Sequence, residues 1–544
     1  MNAMYINLRE MLCVVALICL AITPLTHLTS VQAVSANELL SRYGEPLVIP
    51  LQINLSNIFA VGIDVSRNKI LLTGERSGVT VATLADLNFF EKQGTIYPIL
   101  GIVLSFDTDD TYSPTFYAFG SSGGEVLVLS PKDLSLVFRY VQGDEFKVSK
   151  VYVSKNILAA MFEGSRSFIK VFNLSSGGWS ELGEVVGNAP KYSMENIKLV
   201  DFSMLKFAYG NKVSTKDTMI VAYFTVPANK LLIQVINAST NEPLANAVVY
   251  VRNDVIGTVY QGVTDREGYA LVPVDLVGRK QENLTVFVKV ESVCYKYTFV
   301  GVELQEISAK IYTIGKVIKV PGDVISPPPQ VVRRLILDIL DVSTGEPKRI
   351  KTLNRDDVIS LKIHAFLDVS ILNQKFRYVL VVSGRFASDP SYPSLRIVYL
   401  DSSFSKVGET TYRLFSEVSS FAYSPDGRFI VIGTRGGVIY ILRSAPVRGK
   451  YEVMWGYRLP YQITSIAVSN KVNNGIAVIA GDKEGNLQIL YLPTANKMVP
   501  ILRINTSLSF NTHSPITSLS ATLDLNKVIV GTASKSYLIL GLGD

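Results

Sequence analysis

The fold is indicated most clearly by FIVIGTRGGVIYIL, residues 429–442, in which two runs of alternating apolar residues flank a turn with two glycines. Strict alternation places successive side chains on opposite faces of a β-strand, and a short Gly-containing turn joins two such strands into a hairpin. The same unit recurs at KILLTGERSGVTVATL (69–84), FYAFGSSGGEVLVL (116–129) and GIAVIAGDKEGNLQILYL (475–492). The repeated hairpin therefore predicts an all-β fold built from copies of one unit.

Tandem units of about 40 residues, each with an inner strand, a hairpin and an outer strand, are typical of a β-propeller. The spacing predicts eight blades, with seven as the alternative, in two parts at 44–228 and 332–544. The last unit has only three strands, whereas PLVIPLQINL (46–55) near the N-terminus is a spare strand. Pairing these two segments would remove open sheet edges. We therefore expect a ring closed by an N-terminal strand.

Residues 229–320 interrupt the fourth unit with a different pattern. LLIQVINASTNEPLANAVVYV is followed by GTVYQGVTDREGYALVPV and LTVFVKVESVCYKYTFVGVEL, and Asp265 with Gly268 is typical of a tight turn. This segment resembles the carboxypeptidase regulatory-like, transthyretin-like domains, which implies an inserted Ig-like β-sandwich. The Pro-rich stretch 321–331 predicts a stiff linker back to the fourth blade, which RLILDILDVSTG and KRIKTL complete.

One unit, at 418–459, carries a more specific pattern. Ser424-Pro425-Asp426-Gly427 forms a turn between two apolar runs, and Trp455 follows in the fourth strand. These residues resemble the WD-repeat and TolB-like families and, in a looser way, the pyrroloquinoline-quinone-type (quinoprotein) propellers. The Trp-Asp dipeptide and the Gly-His start of WD repeats are absent from this unit. The resemblance implies a fold and leaves the ligand open, because one fold supports many functions.

The N-terminal residues are typical of an export signal. Arg9 precedes the apolar stretch MLCVVALICLAI, and Val31 and Ala33 suit a signal peptidase. We expect a signal peptide over 1–33, with an uncleaved membrane anchor as the alternative. Export would place the chain outside the cell or on its surface, where Asn-x-Ser/Thr sequons can be glycosylated. The candidate glycosylation sites are Asn54, Asn173, Asn237, Asn283 and Asn505.

Few residues of the exported part belong to motifs for catalysis or metal binding. Residues 120–124 match the G-x-S-x-G motif of hydrolases, but both flanks are strands, so we interpret the motif as a hairpin turn. The two histidines, His364 and His513, belong to separate units. The candidate metal ligands are Asp107, Asp109 and Asp110, in an oxygen-rich loop that does not match an EF-hand. We interpret this loop as a solvated turn, with a calcium site of another geometry as the alternative. We predict no catalytic and no cofactor-binding residue.

The charge distribution argues against nucleic acid as a partner. The net charge is +7, and the most basic stretch, 333–355, also contains Asp338, Asp341 and Glu346. Such mixed charge lacks the basic face that nucleic-acid binding requires.

These observations lead to one main hypothesis, an exported, non-catalytic propeller that binds or scaffolds a protein or a cell-envelope glycan. It would meet the membrane only through an uncleaved signal. The alternative is a propeller enzyme that acts on glycans, or a quinone-linked oxidoreductase. An enzyme would need paired carboxylates, or His364 with an Asp, at the central channel.

Overall fold

The computed structural model describes residues 47–51, 53–86, 96–175, 178–184, 197–209, 212–225, 230–274, 281–303, 306–308, 311–312, 315–321, 323–325, 328–343, 347–370, 376–445, 449–472, 475–492, 499–505, 514–522 and 525–540. Within these ranges every regular element is a β-strand, which confirms the all-β prediction. None of the described ranges contains a helix that could span a membrane. The predicted signal peptide at 1–33 lies outside the described residues.

The chain begins with an isolated strand and three four-stranded antiparallel sheets, in each of which chain neighbours are also sheet neighbours. The isolated strand is β1 (Leu47–Pro50). Sheet 1 comprises β2 (Ser56–Asp64), β3 (Lys69–Arg76), β4 (Val79–Asp86) and β5 (Ile96–Pro98). Sheet 2 comprises β6 (Val103–Thr108), β7 (Tyr117–Ser121), β8 (Glu125–Leu129) and β9 (Leu136–Val141). Sheet 3 comprises β10 (Lys147–Val153), β11 (Ile157–Glu163), β12 (Ser167–Ser175) and β13 (Gly178–Glu184).

A separate unit is inserted after the next two strands, β14 (Ile197–Tyr209) and β15 (Lys212–Thr225). Its strands are β16 (Lys230–Asn237), β17 (Val248–Asn253), β18 (Val259–Val263), β19 (Tyr269–Pro273), β20 (Gln281–Val290), β21 (Val293–Glu303), β22 (Glu306–Ser308), β23 (Ile311–Tyr312), β24 (Gly315–Val320) and β25 (Asp323–Ile325). They form a three-stranded sheet, β19-β16-β24, a five-stranded sheet, β18-β17-β20-β21-β25, and the pair β22-β23.

The two larger sheets of the inserted unit share one core. Val235 of the three-stranded sheet and Val249 and Val286 of the five-stranded sheet are fully buried in a single apolar cluster. The stretch 321–331, which the sequence predicts as a linker, contributes β25, and β25 pairs with β21. The inserted unit therefore includes part of the predicted linker.

The chain then completes the fourth unit and continues directly into the fifth. The strands are β26 (Arg333–Asp341), β27 (Lys348–Asp368), β28 (Tyr378–Phe386), β29 (Asp389–Leu400) and β30 (Lys406–Arg413). β26 pairs with β15, so the insertion lies between the second and third strands of the fourth unit. Together these strands form one sheet in the order β14-β15-β26-β27-β28-β29-β30. We refer to β14, β15, β26 and the first half of β27 as sheet 4. The second half of β27, together with β28, β29 and β30, is sheet 5.

The single strand β27 differs from the prediction. The sequence predicts two strands, KRIKTL and VISLKIHAF, where the structure has one strand of 21 residues. β26 pairs with β27 as far as Val358, and β28 pairs with β27 from Val358 onward. Backbone groups along β27 therefore find partners first in one unit and then in the next, and no loop is needed between them.

Three further sheets complete the fold. Sheet 6 comprises β31 (Val418–Tyr423), β32 (Phe429–Thr434), β33 (Val438–Ala445) and β34 (Lys450–Arg458). Sheet 7 comprises β35 (Ile463–Val472), β36 (Gly475–Asp482), β37 (Asn486–Leu492) and β38 (Val499–Asn505). Sheet 8 comprises β39 (Ile516–Ala521), β40 (Lys527–Thr532), β41 (Ser536–Leu540) and β1, which pairs antiparallel with β41.

Apolar side chains fill the space between each sheet and the next. Because side chains alternate along a strand, β8 directs Val126 toward sheet 3 and Leu127 toward sheet 1. A similar cluster joins sheet 8 to sheet 1 and contains Ile529, Leu538 and Ile58. Successive antiparallel sheets packed face to face about one axis are the architecture of a β-propeller.

One end of this assembly, which we name the entry face, carries the connections between sheets. The first strand of each sheet begins there, and the turns between second and third strands lie beside these connections. The backbone N–H of Arg435, in the turn after β32, donates to the carbonyl of Glu417 at 2.9 Å. The N–H of Lys483, in the turn after β36, donates to Gln462 at 3.0 Å in the same way. The entry face is thus tied together by backbone hydrogen bonds.

A recurring irregularity in the first strands links each sheet to the following one. In β31, β35 and β39 the register shifts after the first residue. The shift changes the direction in which the side chain of the second residue points. The displaced hydroxyls donate to backbone carbonyls of the next sheet, and the pairs are Ser419 with Ile463 at 2.6 Å, Thr464 with Ile516 at 2.5 Å, and Thr517 with Ile58. These hydroxyls therefore join neighbouring sheets near the entry face.

We expect Thr464→Val to lower the free energy of unfolding by about 1 kcal/mol, because it removes one hydrogen bond between sheets and keeps the branched shape. Thr411→Val, at an exposed position of β30, is the control and should change the free energy by less than about 0.5 kcal/mol. Urea denaturation measures both. Equal losses in the two variants would contradict a joining role for the Thr464 hydroxyl.

Candidate functional site

The first strands border the axis of the assembly, and their side chains are less buried than those of the second strands. Every residue of β31 is half-buried, whereas five of the six residues of β32 are buried. β39 and β40 show a similar contrast. The first strands therefore line a central channel, and their side chains determine its chemistry.

Asp107 on β6 is bound by groups from two neighbouring sheets. Lys206 Nζ, from β14, lies 2.7 Å and 2.8 Å from the two carboxylate oxygens and 2.5 Å from Thr215 Oγ1. The backbone N–H of Val153, from β10, donates to Asp107 Oδ2 at 3.0 Å. These contacts join the first strands of sheets 2, 3 and 4.

Lys150 on β10 forms a second junction. Its Nζ lies 2.6 Å from Asp201 Oδ1 and donates to the backbone carbonyls of Phe202 at 3.2 Å and Ile363 at 3.0 Å. Asp201 Oδ2 accepts the backbone N–H of Ile363 at 2.6 Å. All three donors of the ammonium group are therefore engaged, and the first strands of sheets 3, 4 and 5 are joined.

Burial and these partners shift the pKa values of the channel groups. Burial raises the pKa of Asp107 above its usual value, and Lys206 offsets this effect only in part. Burial lowers the pKa of Lys150, but Tyr152 and Asp201 outweigh it, so that the pKa is raised overall. Each oxygen of both carboxylates is in contact with an ammonium or a backbone N–H. Such contacts oppose the proton exchange with substrate that general acid–base catalysis requires.

His364 is the histidine that the sequence offered as an acid–base candidate, and it is half-buried on β27. Its Nε2 lies 2.6 Å from Ser383 Oγ, and its ring stacks on Phe421 with 5.3 Å between centroids. Burial, and then the charges of Lys362 and Lys150, hold the pKa of His364 well below its usual value. The ring is therefore neutral at physiological pH. His513 lies outside the described residues.

We expect mild acid to destabilise the protein through His364. A histidine whose pKa is lower in the folded than in the unfolded chain stabilises the fold above the unfolded pKa of about 6.5, and this stability is lost as the pH falls toward the folded pKa. The loss between pH 7.5 and 5.5 is about 1.4 kcal/mol.

Denaturation across this range, in the wild type and in His364→Gln, measures the effect. The variant should show a weaker pH dependence by about that amount, and His513→Gln serves as the control for a histidine elsewhere. Identical pH profiles for the wild type and His364→Gln would show that His364 titrates normally.

A further group of charges lies where the channel opens on the entry face. Lys362 lies on the first strand of sheet 5, directly before Ile363, and part of its surface is exposed to solvent. Glu417, in the connection into β31, lies 2.9 Å from Arg435 and 3.9 Å from Arg385. We name Lys362, Arg385, Glu417 and Arg435 the mouth cluster.

Two exposed aromatic side chains adjoin the mouth cluster. Phe415 is 87% exposed. The Oγ of the neighbouring Ser416 accepts a 2.7 Å hydrogen bond from the backbone N–H of Gly436, in the turn 435–437. Tyr461 is 47% exposed, and its carbonyl oxygen would lie 2.7 Å from a Cβ placed at Gly437. Both aromatic residues therefore border the turn that carries Arg435.

The candidate metal ligands engage different partners. Asp107 is ion-paired with Lys206. Asp109 Oδ1 accepts two backbone N–H groups of its loop at 2.7 Å and 3.0 Å, and its Oδ2 is buried with no hydrogen-bond partner. Asp110 Oδ1 accepts two others at 2.8 Å and 3.1 Å. Among the residues that the structure describes, no three His, Cys, Asp or Glu side chains are grouped so that they could hold a metal ion.

The G-x-S-x-G motif forms the turn between β7 and β8, as its flanking strands predict. Ser122 Oγ accepts the backbone N–H of Ile102 at 2.9 Å. Gly124 has a φ of 69°, and a Cβ there would lie 2.2 Å from the carbonyl oxygen of Gly143. The glycine is required by this turn, and the structure shows no strand-to-helix elbow.

The candidate glycosylation sites differ in exposure. Asn54 and Asn283 are exposed, whereas Asn173 and Asn237 are half-buried. Asn505 is the last residue of β38.

The charged channel residues Lys150, Asp201, Lys206 and Lys362 belong to no motif that the sequence indicated. A comparison of the repeats could have found two of them. The residue after the register shift is Ser420 in β31, Ser465 in β35 and Ser518 in β39. Lys150 and Asp201 occupy the corresponding position in β10 and β14. A charged residue at a position that is Ser in the other repeats would therefore have indicated Lys150 and Asp201.

Comparison with known proteins finds solved structures that are similar to the chain at low sequence identity. No family model matches the chain, and no curated protein matches it. The crystal structure of Sqt1 from Saccharomyces cerevisiae is 9% identical, covers 90% of this chain and 97% of that chain, and has a TM-score of 0.43. Sqt1 from Chaetomium thermophilum is 10% identical over 91% of this chain and 97% of that chain, with a TM-score of 0.46. The WD40 repeats of RRP9 are 8% identical over 92% and 97%, with a TM-score of 0.38.

Proposed function

We propose that the chain is an exported, non-catalytic binding scaffold at the cell surface or envelope. In this proposal the eight sheets are the blades of one ring closed by β1, and the inserted unit is a carboxypeptidase regulatory-like sandwich. The apolar contact between sheets 8 and 1 supports a closed ring. The core shared by the two sheets of the inserted unit supports a sandwich.

The observation that carries the non-catalytic part is the state of the channel carboxylates. Lys206 and Lys150 neutralise Asp107 and Asp201, and backbone N–H groups from neighbouring sheets occupy the same oxygens. Contacts of this kind hold neighbouring strands together, as buried ion pairs do when their hydrogen bonds are satisfied. The channel polar groups therefore favour a structural role.

The exposed aromatic residues of the entry face support a protein partner. Phe415 and Tyr461 lie beside charged groups that could pair with a partner. Large aromatic side chains bordered by polar groups are typical of interaction sites, and truncating them often weakens binding strongly. We propose that this part of the entry face contacts the partner.

The export part of the proposal rests on the N-terminal sequence and is supported by exposed sequons at Asn54 and Asn283. Expression of the full chain in a secreting host tests it. We expect a mature N-terminus at residue 34 by mass spectrometry and glycan on at least one of these two residues. Retention of residues 1–33 in membranes would instead support the uncleaved anchor.

A binding and turnover screen tests the scaffold function. The purified chain is assayed for binding to proteins and glycans of the cell envelope and for turnover of glycans and quinone-linked substrates. We expect binding without turnover, and Phe415→Ala should weaken the binding while Tyr269→Ala, at a position of the inserted unit that is 40% exposed, should not. Sustained turnover of a substrate would overturn the proposal in favour of an enzyme.

A further inference from the structure

Positive charge is in excess where the channel opens on the entry face. The mouth cluster has three cations, Lys362, Arg385 and Arg435, and one anion, Glu417, so its net charge is +2 (three minus one). Glu417 is shared between the two guanidinium groups. The side chain of Lys362 forms no ion pair or hydrogen bond within the part of the chain that the structure describes. An anion from outside could therefore be accommodated.

The surroundings of Lys362 strengthen the case for an incoming anion. Burial, and then the charges of Lys150 and Arg435, lower the pKa of Lys362, and Asp201 offsets this only in part. Asp201 is already paired with Lys150 at 2.6 Å. An ammonium that has lost part of its hydration and lies near like charges gains more from a nearby anion than a fully solvated lysine does.

The neighbouring side chains indicate which kind of anion fits. Arginine can bind a carboxylate through two parallel hydrogen bonds. Arg435 makes one such contact with Glu417, at 2.9 Å. Phe415 and Tyr461 offer apolar area beside the charges. A free inorganic anion would leave these rings uncovered, whereas a peptide can reach both the charges and the rings.

We infer that the mouth cluster binds an acidic peptide segment of a protein partner, with a carboxylate near Lys362 and Arg435 and an apolar side chain against Phe415. The inference rests on the proposed binding function and specifies the chemistry of the partner. Electrostatic attraction of this kind accelerates association and weakens with salt. The partner is therefore acidic at the contact, and a basic segment is rejected by like charge.

Selection from a random peptide library tests the inference. Short displayed peptides are selected on the full chain, and the enriched ones are synthesised for affinity measurement. We expect enrichment of Asp and Glu together with apolar residues, and a Kd that weakens about tenfold or more in Lys362→Met. This substitution keeps a long side chain and removes its charge.

Lys155→Met is the matched control. Lys155 is an exposed lysine in the turn between β10 and β11, at the end of the assembly opposite the entry face. Its substitution should leave the Kd within about twofold, since the site lies far beyond the screening length of a surface charge. Thermal denaturation of both variants confirms that each is folded.

A second measurement uses the unaltered protein. Succinimidyl acetate acylates accessible lysines, and peptide mass spectrometry gives the extent at each one. A bound acidic peptide should slow the acylation of Lys362 severalfold and leave that of Lys155 unchanged. Inorganic phosphate, added alone, tests for a site that takes a free anion.

The outcomes separate this inference from the function on which it rests. Enriched peptides that are neutral or basic, or that bind Lys362→Met as tightly as the wild type, overturn the acidic partner and leave protein binding intact. Protection of Lys362 by phosphate as complete as that by peptide overturns it in favour of a free anion. A failure to enrich any peptide overturns it too, and the binding screen with Phe415→Ala then decides whether the scaffold function also fails.

Discussion

Deletion of residues 44–55 is expected to lower the stability of the protein sharply and to make the chain associate. The segment includes β1, the fourth strand of sheet 8, and Leu51 and Leu55, which are buried against Ile58 and Leu538. Loss of two buried leucines alone costs about 4–10 kcal/mol. The deletion also exposes the edge of β41, and an unpaired edge promotes pairing between chains. Thermal denaturation and light scattering measure the two effects.

Two milder variants refine this prediction. Leu51→Ala should cost about 2–5 kcal/mol without exposing the edge of β41, so the protein should remain monomeric. Asn54→Ala, at an exposed position of the same segment, is the control and should be close to neutral. If the deletion leaves both the melting temperature and the monomer unchanged, the closure by β1 is wrong and a count of seven blades becomes the better one.

Asp201→Ala is expected to lower the free energy of unfolding by about 3–5 kcal/mol, because it leaves the ammonium of Lys150 without its counter-charge. The carboxylate also accepts the backbone N–H of Ile363, so the substitution loosens sheet 4 from sheet 5 as well. Urea denaturation of the full chain measures the loss.

The double variant Lys150→Met/Asp201→Leu is the decisive comparison. It removes both charges, and we expect it to be more stable than Asp201→Ala, since apolar replacement of a buried pair is often nearly neutral. Lys147→Ala, which breaks the exposed pair with Glu163 on the neighbouring strands, should cost less than about 1 kcal/mol. A double variant as unstable as Asp201→Ala would show that the backbone contacts of Asp201, and not its charge, are decisive.

Local pattern was sufficient for much of the fold. The hairpins at 429–442 and 116–129 follow from alternation and glycine turns, which depend on residues close in sequence. The sequence pattern stops after β15 and resumes at β26, and these two strands pair with each other. The continuous strand β27 could not be predicted from local pattern, because its polar stretch NRDD (354–357) is typical of a turn. Pairing with β26 and β28 keeps this stretch extended.

The channel could not be predicted from spacing. Asp107 was grouped with Asp109 and Asp110 as one loop, yet its partner Lys206 is 99 residues away in the chain. Only the arrangement of sheets about an axis brings such residues together. His364, which the sequence offered as an acid–base candidate, contacts Ser383 and Phe421, which follow it by 19 and 57 residues in the chain.

The pairing of β1 with β41 also has a consequence for the time course of synthesis. Between the two strands lie 485 residues (51 to 535). At a translation rate of about 5–20 residues per second, β1 leaves the ribosome roughly 25–100 s before its partner exists. During that interval the first sheet has no neighbour on one side, and β1 has no sheet to join. Until the last strands are made, β1 therefore remains unpaired and can pair with strands of other chains.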